Sequence, residues 1–316
     1  MTALEFESAH EEQWSELEKS VRLAERKLEP ERFLLLYRTC CGHLALAQSR
    51  GFPAPLLSRL AAVTARAHQI VYRQTDLGFA RIARTFMHAF PAAVRANRAY
   101  VAVAALVLLV PALALGVAVK HRPDLVLSLL DSLTVSRFEH MYDPSNPRIG
   151  RLQDEGTNWM MFGFYVLNNV GIAFQCYVSG IAFGLGSIYY LAFNGAFGGA
   201  AAGYVTAIGF SGTFYPFIAT HSAFEITAIV LCGAAGLRIG HAVLLPGRLS
   251  RAVSLQRAAR ETSVIVFGSS VMLVIAAAIE AFWSSAAWLS PTAKFTAAGL
   301  CWTLVAVFFL RRPDAD

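Results

Sequence analysis

Between residues 160 and 245 the chain is an almost unbroken run of apolar side chains. About 20 apolar residues, each rising 1.5 Å along a helix, already cross the hydrocarbon core of a bilayer, so a run of this length must fold back and cross several times. Further apolar runs cover residues 100–119, 262–283 and 295–310. With 56% hydrophobic and 15% charged residues, the composition lies outside the soluble range. The fold class read from this pattern is all-α: a polytopic membrane protein, since helices satisfy their own backbone polar groups inside lipid. Asn194-Gly195 is the expected tight turn and Ser211-Gly212 the expected break, giving spans over about 162–191, 195–209 and 214–237, and six spans in all.

Charge sets the expected orientation. Arg248, Arg251, Arg257 and Arg260 stand in an expected loop over 246–260, and Arg311-Arg312 follows the last span. Arg-rich segments stay inside, which places the amino terminus, this loop and the carboxyl terminus in the cytoplasm of a bacterial inner membrane. The segments assigned outward, 209–214 and 284–293, carry no Arg or Lys. The opening residues Glu5, Glu7, Glu11 and Glu12 do not read as a cleavable signal, so the first span is expected to act as the anchor. The net charge of +6 sits mostly beside apolar runs and not on a soluble basic face. That distribution names the lipid bilayer as a partner and excludes nucleic acid. Five scattered cysteines supply neither a disulfide framework nor a paired metal spacing.

Three regions follow. Residues 1–75 read as a cytosolic three-helix cap, punctuated at Pro30 and Gly51-Phe52-Pro53. Apolar residues recur there at helical spacing: Trp14, Leu17, Val21 and Leu28; Phe33, Leu36, Tyr37, Cys40 and Leu44; Leu56, Leu60, Val63, Ala67 and Ile70. Residues 76–98 read as an interfacial amphipathic helix, with Phe79, Ile82, Phe86 and Phe90 on one stripe and Arg81, Arg84, Arg95 and Arg98 supplying charge. Packing of that stripe on the cap is the other reading. Residues 99–311 form the transmembrane domain, with an extracytoplasmic segment at 120–160. Within it, 124–138 carries Leu125, Leu129, Leu130 and Leu133 on one side, the pattern of a second surface-lying helix. Gly195, Gly199 and Gly203, and again Gly180 and Gly184, repeat every four residues, the spacing of close helix packing.

His221 and Glu225 are four residues apart and share one helix face. Ionisable groups at membrane depth are costly and point to a partner, a cavity or a function. From the span ends, His221 lies roughly 10 Å from the outer surface, Glu225 roughly 16 Å, Glu280 roughly 5 Å, and Asn168 and Asn169 roughly 9 to 10 Å. One imidazole, two carboxylates and an amide allow three readings. His221, Glu225 and Glu280 are a ligand set for Zn²⁺ or another divalent ion; the cluster is a proton-relay or substrate site; or it is a hydrogen-bonded lock on helix packing. No catalytic residue is assigned. His-Glu-x-x-His, a phosphate loop and a Ser-Lys dyad are all absent from the sequence.

The ordered set Met161-Phe162-Gly163-Phe164-Tyr165-Val166-Leu167-Asn168-Asn169, Phe193-Asn194-Gly195, His221-Ser222-Ala223-Phe224-Glu225 and Ile279-Glu280-Ala281-Phe282 resembles the stage II sporulation protein M family over roughly residues 100–310. The helical front end and Arg-rich elbow match the longer version of non-sporulating bacteria. In spore formers the resemblance implies a scaffold that positions peptidoglycan-degrading enzymes, the stage II sporulation proteins D and P. For the longer version it implies partners such as MoxR-type AAA ATPases and von Willebrand factor A-like proteins. The expectation is an inner-membrane scaffold of the cell envelope, a homo-oligomer. The alternatives are a permease-like subunit energised by a separate ATPase and an intramembrane metal-dependent hydrolase using His221, Glu225 and Glu280.

Overall fold

The computed structural model describes residues 2–22, 30–71, 79–146, 149–151, 156–286 and 288–311, and all regular structure among them is helical. Leu28, Pro147, Arg312 and the 75/76 boundary lie outside the described residues, as do the side chains of Phe79 and Arg81. The chain divides into two compact units, Met1–Ala80 and Arg81–Asp316.

The first unit contains α1 (Ala3–Arg22), α2 (Pro30–Ser49) and α3 (Ala54–Val71). Residues three and four apart share a helix face, so Phe6, Trp14 and Leu17 meet Leu36 and Cys40 of α2 and Leu56, Leu60, Val63 and Ala67 of α3 in one core. Ile70 points outward, 44% exposed. Arg59 bonds Glu11 at 2.7 Å and Glu18 at 2.8 Å, and its guanidinium lies 5.9 Å from the Trp14 ring. The pairing with Arg59 holds the Glu11 carboxyl below the usual carboxylate range.

Trp14 Nε1 donates to His43 Nδ1 at 3.0 Å, and the His43 and His10 rings stack 3.9 Å apart. Burial, and then the charge of His10, holds the His43 imidazole below its ordinary value. The unfolded chain therefore takes up that proton more readily, and stability is lost as pH falls through about 6.5, the unfolded-state value. Amide protection factors of α1 and α2 in the intact protein are expected to be lower at about pH 5 than at about pH 7.5, with a smaller difference in His43→Gln. Equal protection at the two pH values would contradict this.

The boundary between the units falls inside α4 (Phe79–Arg84), which is followed by a π-helical turn at Thr85–Ala89 and α5 (Phe90–Ala96). Phe90 is fully buried, packed where Gly268 has no Cβ, and its ring contacts Phe308 and Phe309. Phe86 stacks on Phe308 at 5.4 Å, while Ile82 and Arg84 are exposed. Arg95 donates to the carbonyls of Phe309 and Arg311, placing a cation at a helix carboxyl end.

The remaining helices are α6 (Arg98–His121), α7 (Ser132–Tyr142), α8 (Asn158–Val178), α9 (Leu185–Ala207), α10 (Ser211–Leu244), α11 (Arg251–Ala278) and α12 (Pro291–Leu310). Helix α10 is the central one and touches α6, α8, α9, α11 and α12. Among the described residues five helical segments are long and apolar enough to cross a membrane, where the sequence reading counts six. The helix outside the five is α9, Leu185–Ala207. It packs more extensively on α6 than any other pair of helices does.

Several expected boundaries move. Asn194-Gly195 is not a turn. It lies inside α9, where Asn194 satisfies its own amide on the Tyr190 carbonyl at 2.7 Å. The chain turns instead at 180–184, where Phe183 and Gly184 have φ of 56° and 84°. Glycine's freedom in the left-handed region decides the place. The next break is Gly209, φ 89°, and Ser211-Gly212 opens α10. The 246–260 loop is mostly helix: Ser250 accepts from the Val253 amide and starts α11 at Arg251. The 124–138 helix is split into a 3₁₀ turn, Pro123–Ser128, and α7, and its buried face is Val126, Leu130 and Val135, with Leu129 and Leu133 exposed.

The repeating glycines sit at close backbone approaches. A Cβ at Gly195, Gly199 or Gly203 would strike the carbonyl of Leu108, Ala112 or Gly116 on α6, and one at Gly180 would strike Gly236. Gly184 lies beside Leu237 and Gly240.

Candidate functional site

Helix α10 carries Thr220, His221 and Glu225, and the i, i+4 spacing stacks the last two. Helix α11 ends in a π-helical segment, Ile279–Ser284, which carries Glu280 and Ser284. The wider π turn is a recurrent feature of functional sites. Here it brings both side chains to α10. Ligand atoms of His221, Glu225 and Glu280 all lie within 4.8 Å of one another. His221 Nε2 is 3.8 Å from Glu225 Oε2, and its Nδ1 is 3.0 Å from Ser284 Oγ. His221 is buried, and Glu225 keeps 23% of its side-chain surface accessible.

A helix end leaves carbonyls without partners. Two buried cations bond carbonyls of the π segment, and Ser285 Oγ shares the Ala281 carbonyl at 2.7 Å. Arg151 donates to the Ala281 carbonyl at 2.6 Å, to Ser285 Oγ at 3.0 Å and to Asn158 Oδ1 at 2.7 Å. Lys294 donates to the Ser284 carbonyl at 2.7 Å, while Thr220 Oγ1 donates to the Lys294 carbonyl at 3.1 Å. Gly150, at φ 81° against the Phe217 ring where no Cβ fits, delivers Arg151. Tyr142 of α7 is buried between Phe214 and Phe217, and its phenol is pushed above its ordinary value by burial first, then by the Glu280 and Glu225 carboxylates among its neighbours.

Asn169 is buried and Asn168 exposed, joined to each other at 2.9 Å. Among the described residues neither Asn hydrogen-bonds to His221, Glu225 or Glu280. The site as built is therefore His221, Glu225 and Glu280, with Ser284, Lys294, Arg151 and Tyr142 around them. The last four are not found by sequence reasoning. The one signal for them is a lone Lys or Arg beside a long apolar run.

Two ionised carboxylates with oxygens within 4.8 Å of each other repel by at least about 3 kcal/mol at an effective dielectric constant of about 20. A proton, a cation or a change of conformation must offset that cost. The set can thus hold a metal ion, carry a proton or bind helices together. The five cysteines are free, and Cys176 and Cys232 are buried in the main membrane-domain core.

The family model described as stage II sporulation protein M matches residues 99–285, and a domain of unknown function (DUF8413) matches residues 4–73. No curated protein and no solved structure matches the chain.

Proposed function

The chain belongs to the stage II sporulation protein M family, and from that premise we propose that it is a scaffold of the bacterial cell envelope, embedded in the inner membrane with both termini cytoplasmic and with the 23-residue α9 crossing beside α6 as the sixth span. Its amino-terminal unit is the dock for soluble or peripheral partners, either a MoxR-type ATPase or enzymes that remodel peptidoglycan. The observation that carries this reading is the two-unit construction. A membrane bundle of the family is joined to a three-helix unit that closes its own core and presents Leu4, 80% exposed, and Leu35, 56% exposed, on its surface. A bundle needing only to sit in lipid has no use for such a unit, and a separate unit with its own core suits a protein contact.

The intact protein captured from native membranes under mild detergent is expected to bring a second envelope or ATPase protein with it in defined proportion. Recovery of the chain alone, from membranes where it is abundant, would contradict the scaffold reading.

A further inference from the structure

We infer that His221, Glu225 and Glu280 form a binding site for one divalent cation, with Zn²⁺ the best match. Three points within 4.8 Å of one another share a centre no more than about 2.8 Å from each, against the 2.0 to 2.2 Å of zinc bonds to His and carboxylate. Closing that gap takes side-chain movements of under about 1 Å. Imidazole together with carboxylate favours zinc over the all-oxygen cations magnesium and calcium.

The bonds around the cluster point the same way. Among the described residues no group donates a hydrogen bond to Glu225 or Glu280, and the one ion pair of Glu225 is with His221. Arg151 and Lys294 both bond the segment that carries Glu280, yet their hydrogen bonds go to Asn158, Ala281, Ser285 and the Ser284 carbonyl, and Arg151 Nε makes none. The two cations hold the π segment in place and leave its Glu280 carboxylate free to ligate. His221 meets Ser284 through Nδ1, so a neutral imidazole donating there turns a bare Nε2 toward Glu225 Oε2. In that tautomer two acceptors face each other, an arrangement that a metal cation or a proton between them satisfies. A metal-ligating His characteristically gives its second nitrogen to such an outer partner, which fixes its tautomer and direction.

Helices and a pinned helix end supply all three ligands, so the site is preorganised. Three protein ligands leave a fourth position for water or a ligand oxygen. The accessible part of Glu225 gives that position an approach. The site stands independently of the scaffold reading, since partner capture and metal content are separate measurements.

The test uses full-length protein without a polyhistidine tag, in lipid nanodiscs, stripped with chelator and titrated with Zn²⁺ and separately with Co²⁺. One equivalent of zinc per chain is expected, and bound cobalt is expected to show the visible ligand-field bands of a four-coordinate nitrogen and oxygen site. Glu225→Gln and Glu280→Gln should abolish stoichiometric binding, and Ser284→Ala should weaken it about tenfold. Wild-type protein that takes up no equivalent overturns the inference. So do Gln variants that bind like wild type, and so do intense thiolate-to-cobalt charge-transfer bands, which would place the ion on cysteines. The wild-type cobalt spectrum decides the matter even if a variant fails to fold.

Discussion

Gly199→Leu is expected to remove most folded protein from the membrane fraction, while Gly198→Leu, one residue along the same helix, leaves it nearly unchanged. A Cβ on Gly199 would run into the Ala112 carbonyl of α6, whereas one on Gly198 meets nothing within 4 Å. The first clash is with backbone and cannot be relieved by a side-chain rotation. It forces α6 and α9 apart along the face they share. Overpacking ordinarily costs about 1 to 3 kcal/mol, and a backbone clash lies at or above the upper end. In detergent, the melting temperature of Gly199→Leu should fall by about 10 °C, if the protein survives extraction. Equal melting temperatures for the two variants would mean that α6 and α9 do not approach as described.

Arg151→Met is expected to give the second large effect. The guanidinium is 3% exposed and joins the segment before α8 to the π segment through Asn158, Ala281 and Ser285. Methionine fills similar space but donates nothing. The Ala281 carbonyl and the Ser285 hydroxyl keep only their bond to each other, and Asn158 Oδ1 loses its donor, at a cost of about 1 to 3 kcal/mol. Arg122→Met is the comparison, because its pair with Asp124 is 69% and 63% exposed. An ion pair this exposed contributes at most about 1 kcal/mol. Hydrogen exchange over 279–285 should quicken in Arg151→Met and stay at the wild-type rate in Arg122→Met. Unchanged exchange in both would remove Arg151 from the account of how Glu280 is positioned.

Particular residues explain what could be read without a structure. Long apolar runs leave the backbone no alternative to helices, so the all-helical membrane character follows from composition and run length alone. The amino-terminal helices show a three- to four-residue periodicity with breaks at Pro30 and Gly51, and α1 to α3 fall on it. Turn positions in the bundle were harder, because glycine serves two purposes there. Gly195 lets a neighbouring carbonyl approach, whereas Gly184 adopts a positive φ, and the letters are the same. Arg251 falls in an expected loop because Arg marks orientation, although Ser250 caps a helix that begins there.

The site divides in the same way. His221 and Glu225 are visible as an i, i+4 pair and Glu280 as a lone carboxylate in an apolar span. Ser284 stands four residues after Glu280, the spacing that also joins His221 and Glu225, but a serine near a helix end carries no sign in the sequence of a partner on another helix. Arg151 and Lys294 reach the site from other segments, so only the packed fold reveals them.

The most direct test of the scaffold account is a photo-reactive amino acid placed at Leu35, on the exposed surface of the amino-terminal unit, and at Leu113, 69% exposed on α6, in living cells. Illumination is expected to join the Leu35 position to a second, identifiable envelope or ATPase protein in defined yield, while Leu113 reacts with lipid or with another copy of the chain. Adducts to a foreign protein from Leu113 alone, with none from Leu35, would contradict the assignment of the amino-terminal unit as the dock.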